Sequence, residues 1–306
     1  MSTATATRIR TLICTVAAML LIAIGPATAQ RLIHPISNPV YADTAIPKNQ
    51  VTVFYAHHRL PDTIATTAGR VPLDGDVDGI AVQVEYAFNE SLSLTAIKDG
   101  YLDFDPDATL NDEEGFADIA LGLKWVFHRT EDLTMAVRGT VELTTGDDDV
   151  VQGNGDGNFV PSLLATHQTD YGQCNAMVAA VVPFDGDEES LTAMASLGYA
   201  LRFTDSISPV IELNWFRVLD EGDGTSDFDG QLGTAVPTIV EFEGGDLFNL
   251  GAANADENPN LVTLGIGGRV QVNDAVSIGI GYEIPLTDDE ESLIDDRTYV
   301  NLTWRF

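Results

Sequence analysis

Cysteine is almost absent: Cys14 and Cys174 are the only two in 306 residues. Cys14 falls in an amino-terminal segment with the marks of a signal peptide, so the mature chain keeps a single thiol. That excludes an internal disulfide and any cysteine-based metal centre. Basic side chains are scarce as well, 15 Lys and Arg against 47 Asp and Glu, for a formal net charge of −32. A chain so acidic repels phosphate, which excludes nucleic acid as a partner. Long apolar runs are missing beyond the amino terminus, and nothing approaches the roughly 20 residues a spanning helix needs.

The amino terminus itself reads as an export signal. Arg8 and Arg10 precede an apolar stretch from Leu12 to Ile24, and Ala27-Thr28-Ala29 offers a small-residue cleavage site before Gln30. The apolar run, about thirteen residues, is too short to anchor the chain. Removing residues 1–29 leaves 13 basic and 47 acidic side chains, a net charge of −34. An exported chain without spanning helices can enter a membrane only as a closed barrel. The remaining length, about 275 residues, suits either two globular domains or one barrel. Residues 30–50 carry Pro35, Pro39 and Pro47 without periodicity and read as a periplasmic segment before the barrel, with a partial plug as the alternative.

Alternation with a period of two recurs from residue 51 to the end. Ile80/Val82/Val84/Tyr86/Phe88, Ile119/Leu121/Leu123/Trp125/Phe127 and Val276/Ile278/Ile280/Tyr282/Ile284 are clear cases. The pattern predicts strands at 51–58, 79–88, 91–98, 115–128, 132–145, 158–170, 173–184, 190–203, 206–218, 260–272, 275–286 and 297–306. Twelve is an even number, as single-chain bacterial barrels have. Short turns, such as Asn89-Glu90 and Asn273-Asp274, alternate strictly with longer connections at 59–78, 99–114, 146–157, 185–189, 219–259 and 287–296. A β-sandwich has no reason to sort its loops this way, whereas an all-β transmembrane antiparallel barrel does, with tight periplasmic turns and long outer loops. Residues 51–306 form the expected barrel, and both ends of the mature chain then lie in the periplasm.

The last strand carries more. Val300, Leu302, Trp304 and Phe306 share one face, and Tyr299, Asn301, Thr303 and Arg305 the other. An apolar face rich in aromatics that closes on a terminal Phe resembles the last strand of bacterial outer-membrane β-barrels. The resemblance implies that Leu302, Trp304 and Phe306 form the signal read by the barrel assembly machinery. It also implies an outer-membrane location, among lipid and lipopolysaccharide.

With the apolar sets facing lipid, the opposite faces line a lumen. Their charged members are Glu85, Asp118, Lys124, Arg138, Glu142, Arg202, Glu212, Arg269, Glu283 and Arg305. Neighbouring strands carry opposite signs at similar heights: Lys124 and Asp118 beside Arg138 and Glu142, Arg202 beside Glu212, Arg269 beside Glu283. Cross-strand pairs of this kind either fill a closed lumen or line a narrow water path. Excess acid gathers in the long loops, including Asp103/Asp105/Asp107, Asp147/Asp148/Asp149 and Asp288/Asp289/Glu290/Glu291. It reads as a solvated surface, and as a mouth that concentrates cations. Asp74, Asp76 and Asp78, followed by Gly79 and Glu85, match a calcium-loop spacing, in which alternate carboxylates converge on one hard cation. The helices such a loop requires are missing, so Ca²⁺ at Asp74, Asp76 and Asp78 stands beside coincidence in an acidic loop. No other cofactor is indicated.

Val141-Glu142-Leu143-Thr144-Thr145-Gly146, an acidic loop, and Gly153-Asn154-Gly155-Asp156-Gly157-Asn158-Phe159-Val160-Pro161 resemble the outer-membrane family labelled for the MetA-pathway of phenol degradation. Thr144 stands where that family commonly has Pro. The resemblance implies an outer-membrane channel for small solutes, aromatic or hydrophobic ones among them. Gly153, Gly155 and Gly157 allow tight turns of left-handed backbone. Two alternatives compete: a non-conducting surface barrel that presents acidic loops, and a lipid hydrolase. Some twelve-stranded barrels of the latter kind use a His and a Ser two residues apart. No His-x-Ser occurs here, His167-Gln168-Thr169 comes nearest, and adjacent His57 and His58 face opposite ways on a strand. The chain is therefore not expected to be an enzyme. The 41-residue connection 219–259, with Gly244-Gly245, Phe248 and Leu250, suits a constriction lid or a binding loop.

Overall fold

Twelve antiparallel strands close into one barrel in the computed structural model, which describes residues 32–225, 228 and 235–306. The expected signal peptide, residues 1–29, lies outside the described residues. In chain order the wall is β1 (Gln50–Arg59), β2 (Gly75–Asn89), β3 (Leu92–Ile97 continued by Gly100–Pro106) and β4 (Glu113–Phe116 continued by Ile119–Arg129). It goes on with β5 (Leu133–Leu143), β6 (Asn158–Gln168), β7 (Gly172–Pro183) and β8 (Leu191–Leu201). β9 (Ile207–Asp220), β10 (Asn260–Gln271), β11 (Val276–Pro285) and β12 (Asp296–Arg305) complete it. Each strand pairs with its sequence neighbours, and β12 returns to β1 in a register running from Gln50↔Arg305 to Arg59↔Asp296. Closure leaves no edge strand, as a hydrocarbon environment demands of any sheet.

The period-two reading holds at most strands because a barrel wall sorts side chains by face. On β4, Ile119, Leu121, Leu123 and Trp125 face out while Ala120, Lys124 and Val126 are buried inside. On β12, Val300 and Phe306 are exposed outward, and Tyr299, Asn301, Thr303 and Arg305 are buried inward. Trp304 and Phe306 stack with ring centroids 4.9 Å apart, and the Phe306 amide donates to the Asn49 carbonyl. The last residue is thus tied down at both its ring and its backbone.

Two expected loops turn out to be partly strand. β2 starts at Gly75 instead of 79, and β3 and β4 pair again between Tyr101↔Phe116 and Phe104↔Glu113. Asp76, Asp78, Asp103, Asp105 and Glu114 therefore belong to the wall. The reason lies in their spacing: Asp76-Val77-Asp78 and Asp103-Phe104-Asp105 alternate acid with apolar residue at the strand's own period. Val77, Leu102 and Phe104 turn inward, where they join a hydrophobic cluster with the outer loops. That cluster unites Leu60, Ile64 and Leu73 of the first outer loop, Val150 and Val151 of the third and Leu293 of the last. From the longest loop it takes Phe228, Phe242, Phe248 and Leu250. Apolar burial on this scale is what folds the acidic loops over the barrel's outer end.

Gly153, Gly155 and Gly157 all have positive φ, at 71°, 65° and 92°. A Cβ on Gly157 would lie 2.4 Å from the Glu142 carbonyl, so this turn accepts only glycine.

Candidate functional site

Residues 32–49 do not hang below the barrel. They run up into the lumen, turn near Asn38 and come back down into β1, so the expected periplasmic segment is instead a hairpin stopper. Ile33, Ile36, Val40, Tyr41, Thr44 and Ala45 are all buried. The chain here has no strand to pair with, so its backbone groups are satisfied by wall side chains. The Glu212 carboxylate accepts from the amides of Ile36, at 3.0 Å, and Ser37, at 2.6 Å, and from Ser37 Oγ. Gln173 accepts from the Ile33 amide at 3.0 Å, and Thr166 Oγ1 accepts from that of Ala45 at 2.9 Å. Arg138 donates to the Tyr41 carbonyl at 2.7 Å and Gln83 to that of Pro39 at 2.5 Å.

The expected lumenal residues do face inward, and nine of the ten are buried; Arg202 is half-buried in the turn after β8. Their partners differ from those expected. Lys124 and Arg138 sit directly opposite each other, two like charges, and it is Asp43 of the hairpin that lies between them. Lys124 Nζ is 2.8 Å from both Asp43 and Glu85, and Lys48 of the hairpin is 2.9 Å from Asp43 and 3.5 Å from Glu85. Glu142 pairs with Lys98 at 2.5 Å, and Asp118 accepts from the amides of Thr145 and Gly146. Glu283 is bonded to Asn214, Thr263 and Tyr299, not Arg269, and Arg202 donates to the Thr169 carbonyl, not to Glu212. Lys124–Glu85 and Lys98–Glu142 pair within the wall, and the inserted hairpin adds Asp43 and Lys48 as further counter-charges.

From the other end the longest loop reaches down to meet the hairpin. Glu243 accepts from the amides of Leu250 and Ala252, at 2.7 and 2.9 Å, which closes a tight turn. Gly244 is required there, since a Cβ would lie 2.6 Å from that of Phe248. The turn projects Asp246 into a buried ion pair with Arg297 of β12, whose Nε also donates to His58 Nδ1 at 2.8 Å. Leu247 packs on the cluster that holds Val40 and Tyr41. Residues 243–252 of this connection thus cover the hairpin from the outer side.

The fourth outer connection, between β7 and β8, buries a carboxyl. Burial pushes the Glu189 carboxyl up from 4.5 to about 7, against one hydrogen bond from Asn158. Folded Glu189 therefore holds a proton that the unfolded group has already lost, and stability declines as pH rises from 4.5 to about 7. Amides of residues 153–158, packed on Glu189, should exchange faster at about pH 8 than at about pH 5, after correction for intrinsic rates. Glu189→Gln should abolish the difference; a difference that survives the substitution rules Glu189 out as its source.

Asp74, Asp76 and Asp78 do not converge. Asp74 turns back to its neighbour's amide, with φ 55°, whereas Asp76 and Asp78 point outward from β2. His57 joins those two, and the ligand atoms of the three residues lie within 4.8 Å of one another. Glu85, the distant residue of the calcium-loop pattern, points into the lumen instead. His58 faces the lumen, so the two adjacent histidines do part. His167 Nε2 contacts Asp132 at 3.1 Å, while Thr169 Oγ1 is engaged with Gly172.

Sequence reasoning missed the apolar part of the lumen: Val160 and Leu164 of β6, Met177, Ala179 and Val181 of β7, and Met194 of β8. The inward faces of β6 and β7 mix these with Asn158, Ser162, Thr166, Gln173 and Asn175, which blurs the contrast with the outward faces. It also missed Asp43 and Lys48, whose signal was the presence of two charges in a Pro-rich segment without periodicity.

A family model described as "Putative MetA-pathway of phenol degradation" matches residues 47–294. Among solved structures, the COG4313 outer membrane channel from Pseudomonas putida F1 superposes with a TM-score of 0.58 at 14% identity, covering 93% of this chain and 100% of that one. The NanC porin superposes with a TM-score of 0.52 at 4% identity, covering 83% and 100%. At such identities the likeness is one of fold, an outer-membrane barrel. No curated protein matches.

Proposed function

This chain belongs to the family of the MetA-pathway of phenol degradation, and from that membership we propose that it is an outer-membrane channel for small solutes, closed by its own amino-terminal hairpin. The observation that carries this reading is the stopper. A barrel meant only to stand as a scaffold is best filled by apolar side chains, because replacing buried ion pairs with well-packed apolar residues is often neutral or stabilising. The hairpin is instead held by polar contacts that water can replace: Glu212 on Ile36 and Ser37, Asp43 among Lys48, Lys124 and Arg138. Apolar contacts lie between these polar ones: Val40, Tyr41 and Ala45 share a cluster with side chains of β3 to β10, and Ile33 and Ile36 pack with Ala200 and Val210. The lumen surface around the hairpin therefore mixes polar and apolar side chains, which suits amphipathic solutes, aromatic ones included. The two similar solved structures, a channel and a porin, support the same reading.

At the outer end the wall and loops are strongly acidic, and their field enriches cations near the mouth. The test is solute entry into proteoliposomes that hold the refolded mature chain. Influx of small phenols and sugars faster than in empty vesicles supports the channel. Rates equal to those of empty vesicles, from a heat-modifiable and hence folded barrel, favour the scaffold.

The terminal aromatic carries a separate expectation. Phe306 touches Trp304 and little else, so Phe306→Ala should cost the finished barrel little. In cells it should nonetheless lower the amount of folded protein in the outer membrane several-fold, measured as the heat-modifiable fraction. Unchanged levels would mean that the assembly signal lies elsewhere.

A further inference from the structure

Two arginines in the periplasmic half of the lumen have no carboxylate within ion-pair distance among the described residues. Arg269 of β10 is 4% exposed, and its guanidinium reaches only neutral oxygens: the Pro35 carbonyl at 3.1 Å, Thr303 Oγ1 at 3.4 Å and Ser277 Oγ at 3.5 Å. Arg305 of β12, 6% exposed, donates to the Leu32 carbonyl. The Nε of each is buried without a partner, and so is Nε2 of His34, which is 7% exposed. His34 lies in the field of Arg269, Arg305 and Lys48. Every other buried lumenal cation among the described residues has an acid within ion-pair distance: Lys48, Lys98, Lys124, Arg138 and Arg297. A chain with 47 acidic side chains leaves these two arginines unanswered.

The wall is shaped around them. Gly279 of β11 stands between the two strands, and a Cβ there would lie 3.1 Å from Arg269 Cζ and 2.8 Å from Asn301 Oδ1. A cavity of about 50 Å³ lies against Arg269 and His34, between the hairpin and the wall; Asp43, Glu85 and Arg138 line it too, and those two acids are already engaged with Lys48 and Lys124. Arg305 lines a vestibule of about 440 Å³ below, together with Leu32, Ile46 and Phe306. A buried guanidinium without a counter-charge is costly, and its planar fork matches a carboxylate. The smaller cavity has room for such a head group, since one water needs only about 10–15 Å³ on the same measure.

We propose that Arg269 and Arg305, with His34, form an anion site whose ligand is a small organic carboxylate. The carboxylate lies at the arginines, and the body of the molecule extends toward the vestibule. The inference rests on the channel reading only for the ligand's route; binding itself does not depend on conduction. It also opposes the sign of the interior to that of the rim. The acidic loops set the field at the outer mouth, and the arginines decide what pauses inside.

Isothermal titration of the refolded mature barrel with sodium benzoate, sodium chloride and phenol tests this, in wild type, Arg269→Gln and Arg305→Gln. Heat-modifiable migration checks the fold of each, and Arg305→Lys serves as a second variant that keeps the charge but loses the fork. Benzoate is expected to bind wild type, with chloride competing, and to bind each Gln variant roughly tenfold more weakly or worse. Arg305→Lys should fall between. Equal benzoate affinity in folded variants overturns the site, as does phenol binding as well as benzoate, or chloride binding without benzoate. Benzoate binding in a barrel that passes no solute would leave the site standing and sink the channel; solute flux without benzoate binding would do the reverse.

Discussion

Deleting residues 30–47 from the mature chain should raise the single-channel current in a planar bilayer by at least an order of magnitude over that of the intact barrel. The hairpin fills the lumen from the periplasmic side, where both its ends lie. Its removal strips Asp43 from Lys124 and Arg138, which in a dry interior would be severe. Here the vacated space fills with water, and the exposed cations keep Glu85 as a neighbour. The wall should therefore survive, held by its closed ladder of backbone hydrogen bonds. The floor under Leu247 also goes, since Val40 and Tyr41 belong to the cluster on which it packs, and the lid loses support from below. A deletion variant that migrates as a folded barrel yet stays silent would show that the outer loops close the lumen alone. That outcome would shift the reading to a surface scaffold.

The second large effect belongs to the lid. Asp246 and Arg297 are an ion pair with side chains 0% and 3% exposed, one on the loop and one in the wall. Breaking such a pair from one side leaves an uncompensated charge and costs about 3–5 kcal/mol. Asp246→Ala should spend that cost on the loop rather than on the barrel, because Arg297 keeps His58 and Tyr299 as partners. The 219–259 connection should then be cut by protease far faster than in wild type, while the barrel's heat-modifiable transition moves little. Asp246→Leu combined with Arg297→Met should recover most of the resistance, because an apolar pair of similar size needs no counter-charge. Equal cleavage rates in Asp246→Ala and wild type would mean that apolar packing of Phe248 and Leu250 alone holds the lid down.

Much of this was legible from spacing. Strands such as β4 and β12 alternate cleanly because one face meets lipid and the other meets charge or small side chains, and two unlike solvents impose a period of two. The direction of Glu85, Lys124, Arg138, Glu212 and Arg269 followed from that alternation. Where the inward face mixes apolar with polar side chains, as in β6 and β7, that contrast blurs. Acid alternating with apolar residue hid the strand in Asp103-Phe104-Asp105, because a run of charge reads as solvated loop when its apolar members have no visible partner. Their partners, Phe248 and Leu250 among them, lie more than a hundred residues away.

Thus the chain's own pattern determined the barrel, its strand number, its sorting of long and short loops, and which side chains turn inward, all of them consequences of local periodicity. What each inward charge meets was left to the tertiary structure. Ion pairs form through space, and several partners here come from a segment without any period, residues 32–49, and from a loop that folds back on itself. Asp43 between two like charges, Asp246 on Arg297, and two arginines with no acid within ion-pair distance depend on where the stopper and the lid come to rest inside the wall. No spacing along the chain encodes that.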